Sequence, residues 1–291
     1  MPGTSDAVGL WARIPVVVRA VLAGLVIVVV AANVWPPLLL KLGVPLAAVV
    51  EILFLACFVF WASGGGPPRR LRAVRSERFR IRRISGAEWL WGVAAALAFA
   101  ATVHAAIVVL FRIVPYPAAS FHRGYDISFI PTRAMQWVAC IISALSAAIC
   151  EETGFRGYIQ QPIELRHGPT TAILVSSAFF TLVHLEKRWA LIGMVPIVFA
   201  AGLLLGALAY ASRTLIFGMI GHAVMDVWLF AYWWTQIAGT FAQRPISESG
   251  IDLAFAIECG ALALLLIASL VCVGKLRKLR GPASASVHSF S

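Results

Sequence analysis

The chain has 291 residues, of which 60% are hydrophobic and only 13% charged, with 24 Lys and Arg against 13 Asp and Glu. Soluble globular domains carry about 45–50% apolar and about 25% charged residues, so this chain lacks the charge to cover a water-facing surface, and its aliphatic and aromatic content excludes disorder. The composition is that of an all-α polytopic membrane protein.

A membrane-spanning helix needs about 20 mainly apolar residues. About eight transmembrane helices are expected, near 15–37, 42–62, 88–112, 134–162, 170–185, 189–211, 214–236 and 252–274, the fifth being short. The first run is too long for a secretory signal and is expected to stay in the mature protein. After the second, Gly64-Gly65-Gly66-Pro67-Pro68 breaks the helix, and eight arginines follow: Arg69, Arg70, Arg72, Arg75, Arg78, Arg80, Arg82 and Arg83. Lys275, Arg277, Lys278 and Arg280 follow the last run. Basic clusters beside spans set orientation and meet anionic lipid headgroups, so the partner they imply is the lipid bilayer, with no nucleic acid. A cytoplasmic loop 64–86 and an even number of spans place both termini in the cytoplasm of a multi-pass cell-membrane protein. Three regions are expected: a three-span region 1–133 carrying the basic loop, a helical core 134–236, and a last span with a basic tail, 237–291. The five cysteines (Cys57, Cys140, Cys150, Cys259, Cys272) lie in or beside apolar runs without a C-x-x-C pair, so no disulfide framework is expected.

Ionisable groups at bilayer depth are costly and mark functional sites by default. Here they are concentrated in the core. The fourth run contains Glu151-Glu152-Thr153-Gly154-Phe155-Arg156, the fifth ends Phe180-Thr181-Leu182-Val183-His184, and the seventh carries His222-Ala223-Val224-Met225-Asp226. Glu152 and Arg156 are four apart and share a helical face, so they are expected to pair, whereas Glu151 points about 100° away. His222 and Asp226 are also four apart. A hairpin turning at His167-Gly168-Pro169 would put Glu151 and His184 at one level, roughly 20 Å above the turn, with His222 close to that level.

A carboxylate with two imidazoles and a further acid, sheltered from water, suits activation of one water molecule for hydrolysis, with the carboxylate as general base and an imidazole stabilising the oxyanion. The same groups, Glu151, His184 and His222, also suit a divalent metal such as zinc. The residues leave these two mechanisms open, and the first requires no cofactor.

The three motifs, E-E-x-x-x-R, F-x-x-x-H and H-x-x-x-N/D in that order, resemble the signature of the CPBP intramembrane protease family, which contains the type II prenyl-protein (CAAX) endopeptidase and bacterial bacteriocin-processing and abortive-infection-like proteins. Arg156-Gly157-Tyr158 and the Gly202…Gly206 run also look like the family. The resemblance covers about 134–236. It implies a bundle of about eight helices, an intramembrane endopeptidase, and a membrane-anchored protein or peptide as substrate. Carried over by position, Glu151 would activate the water with His184 as partner, Glu152 and Arg156 would support, and His222 with Asp226 would stabilise the oxyanion. The commoner pattern has Asn at the last place. An ionised Asp226 has no proton to donate, and would instead orient His222 or bind metal.

Two other classes compete: a transporter or channel using Glu51, Glu151, Glu152 and Asp226, and a non-catalytic bacteriocin-immunity protein. Repeat halves, expected of many transporters, are missing from the sequence. Glu51, His104 and Glu258 match no motif and are expected to serve packing, polar contacts or a water-filled cavity, with substrate contact as the alternative. Phe180 is expected in the core, and His122, His167, His288 and Trp189 in loops, the tail or near span ends.

Overall fold

The computed structural model describes residues 13–119, 125–185 and 193–279, and these are helical with no strand among them. Helix α1 (Val16–Ala31) is followed by α2 (Trp35–Ala62), which begins on two prolines and is interrupted at Gly43, where φ is 68°. Proline suits a first helical turn because its missing N–H would have no partner there. The glycine supplies the left-handed backbone that a side chain resists. A short helix α3 (Arg72–Arg78) leads to α4 (Gly86–Ile113), whose start is fixed by reciprocal bonds between Ser85 and Glu88.

The core begins with α5 (Arg133–Glu152), capped by Thr132. It continues without a break through a π-helical segment, Thr153–Gln160, into α6 (Gln161–His167). Gly168, with φ at 82°, reverses the chain, and Pro169 opens α7 (Pro169–His184). The turn therefore lies where the sequence places it. Helix α8 (Met194–Ser212) ends at Arg213 with a left-handed backbone, and α9 (Ile216–Trp228) passes into a second π segment, Leu229–Trp234. A four-residue α10 (Ile246–Ser249) precedes α11 (Leu253–Leu279).

Six segments of the described residues are long and apolar enough to cross a membrane, and the first of them, Val16–Ala62, contains both α1 and α2. Helix α7 has 16 residues, about 24 Å of rise, short of a hydrocarbon core of about 30 Å. The chain is thus a multi-pass membrane protein, and many of its exposed large side chains are aliphatic, as a lipid-facing surface requires.

Helix α5 packs on α9 and α2, α7 on α8, and α4 on α9, α8 and α11, while α1 lies along the first π segment. Close approach there depends on two glycines. A Cβ on Gly24 would stand 2.7 Å from the Gly154 carbonyl oxygen, and one on Gly154 would stand 2.4 Å from Val28 Cγ2. Small residues at such crossings let backbones touch where lipid offers no hydrophobic drive for association.

At one end of the bundle the arginine segment folds across the core. Arg75, buried, donates to the carbonyls of Trp61, Gly65, Gly66 and Pro68. Arg78 reaches Gln161, Arg80 reaches Glu164 and the Ala209 carbonyl, and Arg82 reaches Glu88 and the Ser212 carbonyl. Four of the arginines read from sequence as lipid-facing are therefore spent on protein groups, namely loop and helix-end carbonyls and the side chains of Gln161, Glu164 and Glu88.

Candidate active site

Glu151 and Glu152 stand where α5 passes into its π segment. The sequence spacing predicts an uninterrupted α-helix across this stretch, so the wider turn is a difference; such π turns recur at functional sites. Glu151 and His184 lie on the two arms of the hairpin that reverses at Gly168 and face each other across it, so the expected common level is found. What joins them is specific. His184 Nδ1 lies 2.6 Å from the Phe180 carbonyl oxygen, which only accepts, so this nitrogen carries the proton and donates. Nε2 is left facing Glu151 Oε2 at 3.9 Å. That separation is too long for a direct hydrogen bond and suits one bridging water.

The second set is a continuous chain behind the first. Arg156 Nη1 donates to Glu152 Oε1 at 2.7 Å, and His222 Nδ1 lies 3.0 Å from the same oxygen. His222 Nε2 lies 3.5 Å from Asp226 Oδ2. Arg156, Glu152 and His222 are buried almost completely, at 0%, 0% and 1% exposure. Arg156 Nη2 also donates to the Gly202 carbonyl, and its guanidinium lies 4.6 Å from the centre of the Phe180 ring. Phe180 touches His184 as well, with ring centres 4.5 Å apart, so the expected core residue also forms the floor under both polar groups.

Two cavities meet at Glu151 and His184. The larger, about 500 Å³, runs between the end of α1, the start of α2 and α5, and is lined also by Asn33, Ser143 and Ser146. The smaller, about 50 Å³, is mainly apolar, with Val103, Ile107, Met194, Met225 and Leu229 beside Asp226. Glu151, His184 and Asp226 thus share a cavity wall. His222 lies behind the wall, linked to Glu152 more closely than to Glu151, a connection that helical spacing within one segment does not reveal.

The remaining ionisable residues serve as expected or fall outside. Trp233 Nε1 donates to His104 Nδ1, and Glu258 pairs with Arg112 at 3.2 Å. Glu51 is fully buried and accepts from Ser146 Oγ at 2.7 Å. The five cysteines are free. His167 is exposed at the end of α6, and His122, His288 and Trp189 lie outside the described residues. Two contributors carry no charge and gave little signal. Gly218 is one turn before His222, and a Cβ there would stand 2.8 Å from Glu152 Oε2; Ser146 joins Glu51 to the larger cavity. Among the described residues no group of three or more His, Cys, Asp and Glu is arranged to hold a metal ion.

The fold and site define a multi-pass helical membrane protein with a carboxylate–imidazole pair on an internal cavity wall. Residues 133–228, the stretch from the start of α5 to the end of α9, match the family model described as Type II CAAX prenyl endopeptidase Rce1-like, and this stretch carries all three motifs. No curated protein and no solved structure matches the chain.

Proposed function

We propose that the protein is an intramembrane endopeptidase that hydrolyses a peptide bond of a membrane-anchored protein or peptide, with Glu151 as general base. The observation that carries this reading is the 3.9 Å gap between Glu151 Oε2 and His184 Nε2. A carboxylate and a neutral imidazole nitrogen are both acceptors, so a water between them donates one hydrogen to each and turns a lone pair toward the cavity. Attack on a carbonyl carbon there transfers the water proton to Glu151, which returns it to the departing amine, so the carboxylate is regenerated.

The oxyanion falls to the His222 side of the site. Both ring nitrogens of His222 face carboxylate oxygens, an arrangement that suits an imidazolium donating on each side. The Nε2–H directed at Asp226 is the donor nearest the cavity, and a substrate oxyanion would share it. Asp226, in the ionised form, orients this ring. Arg156 holds Glu152 in place, and Glu152 fixes the opposite edge of the imidazole.

The set Glu151, His184 and His222 fits zinc poorly. A catalytic zinc takes three protein ligands, yet His222 has Glu152 at one nitrogen and Asp226 at the other, so while those contacts hold, this ring has no nitrogen to give a metal. The test is cleavage of a membrane-anchored peptide library by detergent-purified protein, Glu151→Gln and His184→Ala, with and without chelator. Cleavage by wild type alone, unchanged by chelator, is expected. Equal cleavage by both variants would remove Glu151 and His184 from the mechanism, and chelator-sensitive cleavage restored by zinc would replace the metal-free route.

A further inference from the structure

We propose that the segment from Arg69 to Arg83 is a binding surface for the headgroups of acidic phospholipids, seated by its inner face on the helices that carry the candidate site. The segment has two unlike faces. Inward, Arg78, Arg80 and Arg82 bond to Gln161 of α6 and to the carbonyls of Ala209 and Ser212 at the end of α8. These contacts fix its position without involving a lipid.

Outward, Arg69, Arg70, Arg72 and Arg83 are exposed and make no side-chain hydrogen bond or ion pair among the described residues. The nearby acids do not balance them. Glu88 is taken by Arg82 and Glu164 by Arg80, which leaves Glu77, held by Gln161. Between these arginines stand exposed aliphatic side chains, Leu71 at 44%, Val74 at 43% and Ile81 at 57% exposure. A strap facing bulk water gains nothing from exposed Leu, Val and Ile, whereas one lying in the headgroup layer buries them at the acyl boundary while guanidinium groups meet phosphate.

The location selects the partner. The segment joins the end of α2 to the start of α4, two apolar helices, so it is held at the membrane surface whatever else it meets. Acidic lipid is the polyanion present there at high local concentration. Each basic residue near an anionic surface strengthens attachment about fivefold. Because the inner face is bonded to α6 and α8, lipid bound outside braces the end of the bundle opposite the cavities. This surface is separate from the peptidase reading, and its test uses no proteolysis.

Wild type and an Arg69→Gln, Arg70→Gln, Arg72→Gln, Arg83→Gln variant are purified from mixed phosphatidylglycerol and phosphatidylcholine, and co-purified lipid is measured by mass spectrometry. Wild type is expected to enrich phosphatidylglycerol, and the variant to lose at least fivefold of that enrichment. A Lys275→Gln, Arg277→Gln, Lys278→Gln variant is expected to keep more than half of it. Equal enrichment in the quadruple variant, no enrichment in wild type, or an equal loss in the triple variant would each overturn the proposal. Tighter binding of an RNA oligonucleotide than of phosphatidylglycerol vesicles would assign the surface to nucleic acid. If the quadruple variant does not fold, Arg70→Gln and Arg83→Gln alone are each expected to lose about half or more of the enrichment, and no loss in either counts against the surface.

Discussion

Glu151 and Glu152 are neighbours on one helix, yet they occupy opposite kinds of surroundings. Glu152 is sealed from solvent, and one of its oxygens is held by both Arg156 and His222. Glu151 lies on a wall shared by two cavities, opposite an imidazole 3.9 Å away. A buried carboxylate beside a guanidinium is committed to that partner, because breaking the pair leaves an uncompensated charge in a low-dielectric interior. A carboxylate on a cavity wall can exchange protons with what enters. Consecutive residues of one type thus divide into a fixed charge and an available one, and the division comes from the roughly 100° step between helix positions together with what α1, α7 and α9 bring to each side.

The largest effect expected from breaking this contrast is on the available side. Glu151→Gln keeps the shape and removes the base, so cleavage is expected to fall by about 10²–10⁴-fold with little change in melting temperature. A folded variant that still cleaves at the wild-type rate would give Glu151 and Glu152 the same status. On the sealed side the loss is in folding. Arg156→Met leaves Glu152 buried without its cation and is expected to cost about 3–5 kcal/mol of stability, read as reduced yield and a lower unfolding midpoint in detergent. If Arg156→Met folds as well as wild type but loses cleavage, the pair serves chemistry rather than structure.

A finer probe sharpens the contrast without removing any charge. Gly218→Ala places a methyl group 2.8 Å from Glu152 Oε2. Overpacking of this size costs about 1–3 kcal/mol, and a displaced Glu152 releases His222. The expected result is a moderate drop in kcal of stability within that range, with cleavage falling more than stability alone explains. Unchanged cleavage would show that the His222–Glu152 contact tolerates movement.

Much of this site is legible in the chain itself. The spacing of Glu152 and Arg156, of His222 and Asp226, and the turn at Gly168 follow from helical periodicity and breaker residues, which act over a few positions. The bond between Glu152 and His222 is not legible that way, since it joins α5 to α9 and depends on how closely Gly218 lets them approach. The π segment is also hidden, because a one-residue widening of a helix leaves the apolar pattern almost unchanged. The arginine segment shows the same limit. Its charge predicted contact with headgroups, yet charge alone does not tell Arg80, buried against Glu164, from Arg83, exposed two residues beyond Ile81. Only the fold decides which arginines meet carbonyls and which meet the outside.

The smallest expected effect lies far from the carboxylate pair, where α11 starts beside the end of α4. Asp252 caps α11 by accepting from the Phe255 N–H, and it also pairs with Arg112 at 2.7 Å. The backbone bond first, and the nearby guanidinium with it, hold its pKa below the ordinary Asp range. A carboxyl whose folded value is depressed contributes stability above its unfolded value and loses it as pH falls through the folded one. Because the Asp252 side chain is 39% exposed and Arg112 keeps Glu258 at 3.2 Å, solvent screening makes this contribution small. Asp252→Asn preserves the cap, since Asn and Asp cap about equally well, but has no proton to gain. Unfolding midpoints measured near neutrality and again at acid pH below the ordinary Asp range are expected to differ slightly less in Asp252→Asn than in wild type. The same difference in both would mean that the cap, rather than the charge pair with Arg112, fixes the start of α11.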